Sequence, residues 1–144
     1  NVLVKHAKKL LCQLEHNKEY QGMLTEYRAL SKIKEPTKES DSRKDALSQE
    51  MSSFRQGMGL TEAGLQSYIK VCGKQYKKLL SYQQVQKEAS NVWRGVEKVL
   101  FGNGKQLHFK KNRYFTTISG KTNTNGAKFD KATLTVNWLG LSKK

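Results

Sequence analysis

Twelve carboxylates, three histidines and two cysteines are the groups with which this chain could do chemistry. A metal-dependent nuclease needs clustered carboxylates to hold Mg²⁺. Here eleven of the twelve lie before residue 101, mostly beside lysines, and Asp130 is the one acid after Glu97. The histidines, His6, His16 and His108, are scattered, with no Ser/His/Asp or Cys/His set to favour. Cys12 and His16 stand four apart on one helical face and could supply half of a metal site. No second pair accompanies them, so both read as ordinary helix residues. Cys12 and Cys72 form no CxxC pattern and suggest neither a disulfide framework nor zinc; a reducing compartment fits them best. Gly102-Asn103-Gly104-Lys105 has a glycine-rich look, but it follows a helical pattern and lacks the GxxxxGK[ST] spacing of a phosphate loop. It reads as a helix stop and a turn. The chain is expected to carry no catalytic residues, no metal and no cofactor.

The remaining chemistry is cationic. The net charge is +15, and its distribution is uneven. Residues 1–100 carry 18 Lys/Arg against 11 Asp/Glu, whereas residues 101–144 carry 9 against 1. Self-repulsion of that kind opposes compaction unless a polyanion relieves it. Lys70, Lys74, Lys77 and Lys78 recur at i, i+4, i+7 and i+8, with no acid between Glu62 and Glu88. Like charges at that spacing cost a few tenths of a kcal/mol per pair in a helix, roughly. Contact with phosphates reverses the sign. Farther on, Lys105, His108, Lys110, Lys111, Arg113, Tyr114, Lys121, Asn123, Asn125 and Lys128 make a basic, aromatic, amide-rich stretch. Such a combination suits a nucleic-acid backbone.

The elements that must position these residues follow from periodicity. Leu3, Ala7, Leu10, Leu11 and Leu14 mark a first helix over residues 2–17. Tyr20, Met23, Leu24, Tyr27 and Leu30 mark a second, with Asn17 at its start. Residues 35–42, with the sole proline at Pro36, read as a linker. A third helix is expected from about Ser42 to Gln56, with Leu47, Met51 and Phe54 inward, ended by Gly57-Met58-Gly59. Thr61 begins a fourth, running to about Tyr82, with Leu60 and Leu65 stapling its start. A fifth spans about Gln84 to Leu100, with Trp93 in its apolar stripe. After Phe101 the period changes to two. Leu107 and Phe109, then residues 114–118, then Ala127-Lys128-Phe129, then Leu134, Val136 and Trp138 read as short strands.

The expected fold is therefore α+β. A helical bundle of about five helices over residues 1–100 would precede a small antiparallel β meander, or partial oligonucleotide-binding-like barrel, over residues 101–144. No apolar run approaches the roughly 18 residues that span a bilayer, so no membrane association is expected. The chain starts at Asn1 rather than Met and ends at Lys143-Lys144 soon after a strand-like run, which reads as a fragment of a longer protein.

Three runs carry a family resemblance: LTEAGLQSYIKVCGKQYKKLL, QKEASNVWRGVEKVLFGNGKQLHFKK, and GKTNTNGAKFD with VNWLGL. Together they resemble the OrfB/TnpB insertion-sequence proteins, transposon-encoded relatives of the type V CRISPR effectors. The likeness is best from about Leu60 to Leu141. It implies an RNA-guided DNA endonuclease, in which a helical recognition domain is inserted after the first strand of a wedge barrel, with a RuvC-type nuclease and a zinc ribbon following. This chain would then be the recognition and wedge portion without the catalytic half. Sequence would be read by guide pairing, and the protein would grip backbones. On that reading Lys70, Lys74, Lys77 and Lys78 line a heteroduplex channel. Lys105, Lys110, Lys111, Arg113, Lys121 and Lys128 contact RNA phosphates. Tyr114 or His108 could stack on an unpaired base. Asn123 and Asn125 could reach base edges or a 2′-OH, and serve equally as turn formers. The partners implied are guide RNA and DNA, with no small-molecule substrate, in a bacterial cytoplasm at the nucleoid. The alternatives are a stand-alone basic DNA/RNA-binding accessory protein and a helical protein-interaction module. Oligomeric state is not legible in the residues.

Overall fold

A computed structural model of the chain describes residues 2–76, 82–102, 104–108 and 127–138. The apolar periodicity of the first half gives three helices, α1 (Val2–Glu15), α2 (Lys18–Ser31) and α3 (Lys38–Gly57). All five apolar residues expected to face inward from α1, Leu3, Ala7, Leu10, Leu11 and Leu14, are buried. Asn17 takes an extended conformation and its side chain accepts from the Tyr20 amide at 2.9 Å, which starts α2. Tyr20 is buried; its ring lies 5.8 Å from that of Phe54, and its hydroxyl accepts from Arg55 at 2.8 Å. These contacts join α2 to α3 at one end. Near the other, Arg43 of α3 pairs with Glu26 of α2 at 2.8 Å.

The start of α3 differs from expectation. Thr37 caps it, its hydroxyl accepting from the Ser40 amide at 3.2 Å, so the helix begins at Lys38 and takes in residues expected to be linker. Its end is set by Gly59, whose φ of 73° is the left-handed conformation that glycine adopts without strain. Leu60 N–H reaches the Arg55 carbonyl and Gly59 N–H that of Gln56, both at 2.9 Å. This is the Schellman pattern, and it delivers Leu60 into full burial.

The second group begins with α4 (Glu62–Cys72), continues as a short 3-10 helix (Gly73–Tyr76), and includes α5 (Tyr82–Phe101). α4 and α5 pack on one another. Leu65, Ala89 and Val96 are fully buried, while Trp93 is half-buried. Ser90 on α5 donates to the Glu62 carboxylate at the start of α4, and Gln66 donates to the same oxygen at 3.0 Å. At the far end of α5 the Lys98 carbonyl accepts from Gly102 at 3.2 Å and Gly104 at 2.9 Å. A Cβ on Gly104 would lie 2.8 Å from that oxygen, so the approach needs glycine.

The expected α+β class does not hold. The described residues form a helical fold, and neither a meander nor a partial barrel is found among them. Their β structure is one hairpin, β1 (Ala127–Asp130) antiparallel to β2 (Thr135–Trp138), with Lys128 opposite Asn137 and Phe129 opposite Val136. Residues 104–108, expected to begin the first strand, are not strand. The reason is packing: Leu107 is buried against α5 at Gly95, where no side chain intervenes. Leu134, expected inward on a strand, instead sits in the hairpin turn at φ 51° and is 78% exposed. Phe109 and the expected strand over residues 114–118 lie outside the described residues.

The chain divides into two compact units, His6–Thr61 and the remainder (Asn1–Lys5 with Glu62–Lys144). Among the described residues no helix is long and apolar enough to cross a membrane.

Candidate nucleic-acid interface

Of the expected contact residues, Lys70 lies on α4 and is exposed, and Lys74 lies in the 3-10 turn and is exposed. The continuous fourth helix to Tyr82 is not formed, because α4 gives way at Cys72. An α-helix advances 3.6 residues per turn and a 3-10 helix 3.0. Crossing that junction sets Lys74 about 80° around the axis from Lys70, against about 40° on an unbroken helix. The two lysines therefore diverge rather than form one straight stripe. Lys77 and Lys78 lie outside the described residues.

Lys105 and His108 are exposed on the segment that leaves the end of α5. The Gly104 bond to Lys98 fixes one end of this segment, and burial of Leu107 at Gly95 fixes the other. The fold thus brings Lys105 and His108 to the flank of α5. Lys128 is a hairpin residue of β1. Lys110, Lys111, Arg113, Tyr114, Lys121, Asn123 and Asn125 lie outside the described residues.

Charge follows the structural units more sharply than it follows the sequence halves. His6–Thr61 holds 10 Lys/Arg and 8 Asp/Glu, a net +2. The remainder holds 17 and 4, a net +13. Within the near-neutral unit, Arg43 is engaged by both Glu26 and Glu50. Hydrogen bonding to Arg43 holds the Glu26 carboxyl below its usual range, and the same bond raises the guanidinium. In the basic unit, by contrast, Lys70, Lys74 and Lys105 make no ion pair with any described residue. Cations left in water beside few acids keep their field available to an external polyanion.

Sequence reasoning followed α5 by its apolar stripe and overlooked its cations Lys87, Arg94 and Lys98. Their own spacing, four and seven residues apart, was the signal that could have found them.

Cys12 and His16 do meet. His16 Nδ1 donates to the Cys12 carbonyl at 2.8 Å, and the Cys12 sulfur lies 3.7 Å from the same nitrogen. That bond turns Nδ1 back onto the helix. Among the described residues no group of three or more His, Cys, Asp or Glu side chains gathers where a metal could bind. A shallow open groove of about 540 Å³ lies between α2 and α3, lined by Met23, Ala46 and Phe54 together with Glu19 and Glu50. Its acidic lining does not suit phosphate.

No protein-family model, curated protein or solved structure matches this chain.

Proposed function

We propose that this chain is a nucleic-acid-binding portion of a transposon-encoded, RNA-guided DNA endonuclease-like protein. It grips guide RNA and target DNA backbones and contributes no catalytic residue. The observation that carries the reading is the net +13 of the unit made of Asn1–Lys5 and Glu62–Lys144, against the +2 of His6–Thr61. Solubility alone does not require near-exclusion of acids from one unit. The family part of the proposal rests on the three sequence runs given above. The backbone-gripping part rests on charge and is independent of family.

The test is binding of the full chain to structured RNA, duplex DNA and single-stranded DNA across a salt series. Preference for structured RNA with a steep log–log slope supports the guide-holding role. Equal, weak binding to all three points instead to a stand-alone accessory protein. Absence of binding at moderate salt refutes both.

A second reading applies to His6–Thr61 alone. Its near-neutral charge and the groove lined by Met23, Phe54, Glu19 and Glu50 favour a protein-interaction role for that unit. Salt-insensitive association that Met23→Lys abolishes would support it.

A further inference from the structure

We infer that the groove between α2 and α3 receives an amphipathic helix of a partner protein, with apolar side chains against Met23, Ala46 and Phe54 and a lysine or arginine beside Glu19. This rests on the protein-interaction reading of His6–Thr61 and adds to it the form and charge of the partner.

The groove lies on the side of α3 turned away from its buried residues. Leu47 and Met51 are buried and mark the inward side. At about 100° per residue, Ala46, Gln49, Glu50 and Ser53 centre about 130° round from them. Tyr20 meets Phe54 and Arg55, whereas Glu26 meets Arg43, so the two helices run antiparallel. Side-chain ridges with a trough between them are the shape into which a third helix packs. Met23, Ala46 and Phe54 are half-buried and supply the apolar lining. Ala46 carries only a methyl group and lets a neighbour come close. The thioether of Met23 adapts to the side chain laid on it. A second hollow of about 480 Å³ shares Ala46 with the first and carries the trough on to Lys38. From Lys38 to Phe54 the rise along α3 is roughly 24 Å, enough to seat about four turns of a partner helix.

The charge of the trough is opposite to that of the chain. Glu19, Glu39 and Glu50 line the two hollows with Lys38 and Arg43, and Glu26 holds Arg43 from the facing helix. Four carboxylates thus stand against two cations, on a chain whose net charge is +15. Arg43 is taken up by Glu26 and Glu50, at 2.8 and 3.5 Å. Glu19 is exposed and makes no ion pair with any described residue. The uncompensated carboxylate therefore stands at the Phe54 end of the groove, and a partner's cation belongs there. Such a trough repels a phosphate backbone and draws a cationic segment. Apolar contact supplies the affinity, and the carboxylates select and orient the helix.

The test uses the full chain and two fluorescein-labelled 14-residue peptides of leucine and lysine with the same composition. One places its leucines at helical spacing, and the other scrambles them. Both are cationic, so the field of the whole chain opposes their binding. Wild type is expected to bind the amphipathic peptide at least about tenfold more tightly than the scrambled one, since the latter has no apolar face. Glu19→Lys should weaken that binding about fivefold, by exchanging one exposed ion pair for a repulsion. Glu35→Lys, an equal charge change at an exposed residue outside the groove, should alter it by less than about twofold. Met23→Lys should weaken it about tenfold or more, because the peptide would bury an unpaired charge. Circular dichroism of each variant checks that the helices are intact. If Met23→Lys abolishes binding but Glu19→Lys acts no more than Glu35→Lys, the partner's charge is wrong, and the protein-interaction reading stands without this inference. If the peptide fails to bind while the chain associates with itself in a Met23-dependent way, the occupant is a second copy, and again only this inference falls. If Met23→Lys changes neither peptide binding nor self-association, both are overturned.

Discussion

Leu107 and Gly95 offer a test of the packing that fixes Lys105 and His108 beside α5. Leu107 is 7% exposed, and a Cβ built on Gly95 would stand 2.6 Å from its Cδ1. Carbon atoms prefer separations of about 3.5–4.0 Å, so Gly95→Ala must displace the leucine tip by about 1 Å. Alone, Gly→Ala within a helix stabilises by about 1 kcal/mol. Overpacking of a filled site costs about 1–3 kcal/mol, so in the wild type the two effects cancel or the clash wins. Leu107→Ala removes the obstacle at a cost of about 2–4 kcal/mol. In that background Gly95→Ala should recover about 1 kcal/mol. The double-mutant cycle therefore has a coupling energy of about 1–3 kcal/mol. Urea unfolding of the four full-length proteins measures it, with the fluorescence of Trp93, two residues from Gly95, as a local probe. Equal effects of Gly95→Ala in both backgrounds, coupling below about 0.5 kcal/mol, would show that Leu107 does not sit on Gly95.

The remaining predictions concern single contacts. Ser90→Ala should destabilise the α4–α5 pair by about 1–2 kcal/mol in the same urea titrations, since it removes a hydrogen bond to the Glu62 carboxylate. Thr37→Ala should cost about 1 kcal/mol and fray the first turn of α3, read as a lower thermal midpoint by circular dichroism. Burial first, and Lys9 second, hold the His6 imidazole below its ordinary 6.5. The unfolded chain then binds the extra proton first, so stability is lost as pH falls below 6.5. Thermal midpoints should drop between pH 7 and pH 5, and His6→Gln should lessen the drop. Glu26 acts in a lower window, because its carboxyl titrates below the ordinary 4.5. Its contribution is present above that value and fades as pH falls through the lowered one.

The helices were legible wherever an apolar stripe was long. Leu3, Ala7, Leu10, Leu11 and Leu14 repeat with the helical period, and all are buried. Starts were harder to read, because Thr37 and Ser42 are both of the residue types that cap helices, and the Ser40 N–H bond to the Thr37 hydroxyl makes Thr37 the cap and leaves Ser42 inside α3. The β half was misread for a related reason. Leu107 followed by Phe109 alternates like a strand, yet two apolar residues also suit a segment that drops one side chain onto a helix at a glycine. Leu134 extended the alternation of Val136 and Trp138, and nothing in its type announced a φ of 51°. The lysine stripe failed at Gly73, where the α-helix tightens to a 3-10 turn. The division of charge was hidden because the change of apolar period after Phe101 drew the boundary there, whereas the units divide between Thr61 and Glu62. Lys87, Arg94 and Lys98 were visible in spacing but masked by the stronger apolar signal on the same helix.

The measurement that tests the central claim most directly compares two neutralised variants of the full chain on duplex nucleic acid. One carries Lys70→Gln, Lys74→Gln and Lys105→Gln in the basic unit; the other carries Lys18→Gln, Arg28→Gln and Lys32→Gln, all exposed, in the near-neutral unit. Each removes three positive charges, so net charge is matched. If the basic unit holds the backbone, the first variant should lower the log–log salt slope by up to about 2.7, and the second should leave it near the wild-type value. Equal losses from the two variants would contradict the account, because binding would then follow net charge rather than the unit that carries it.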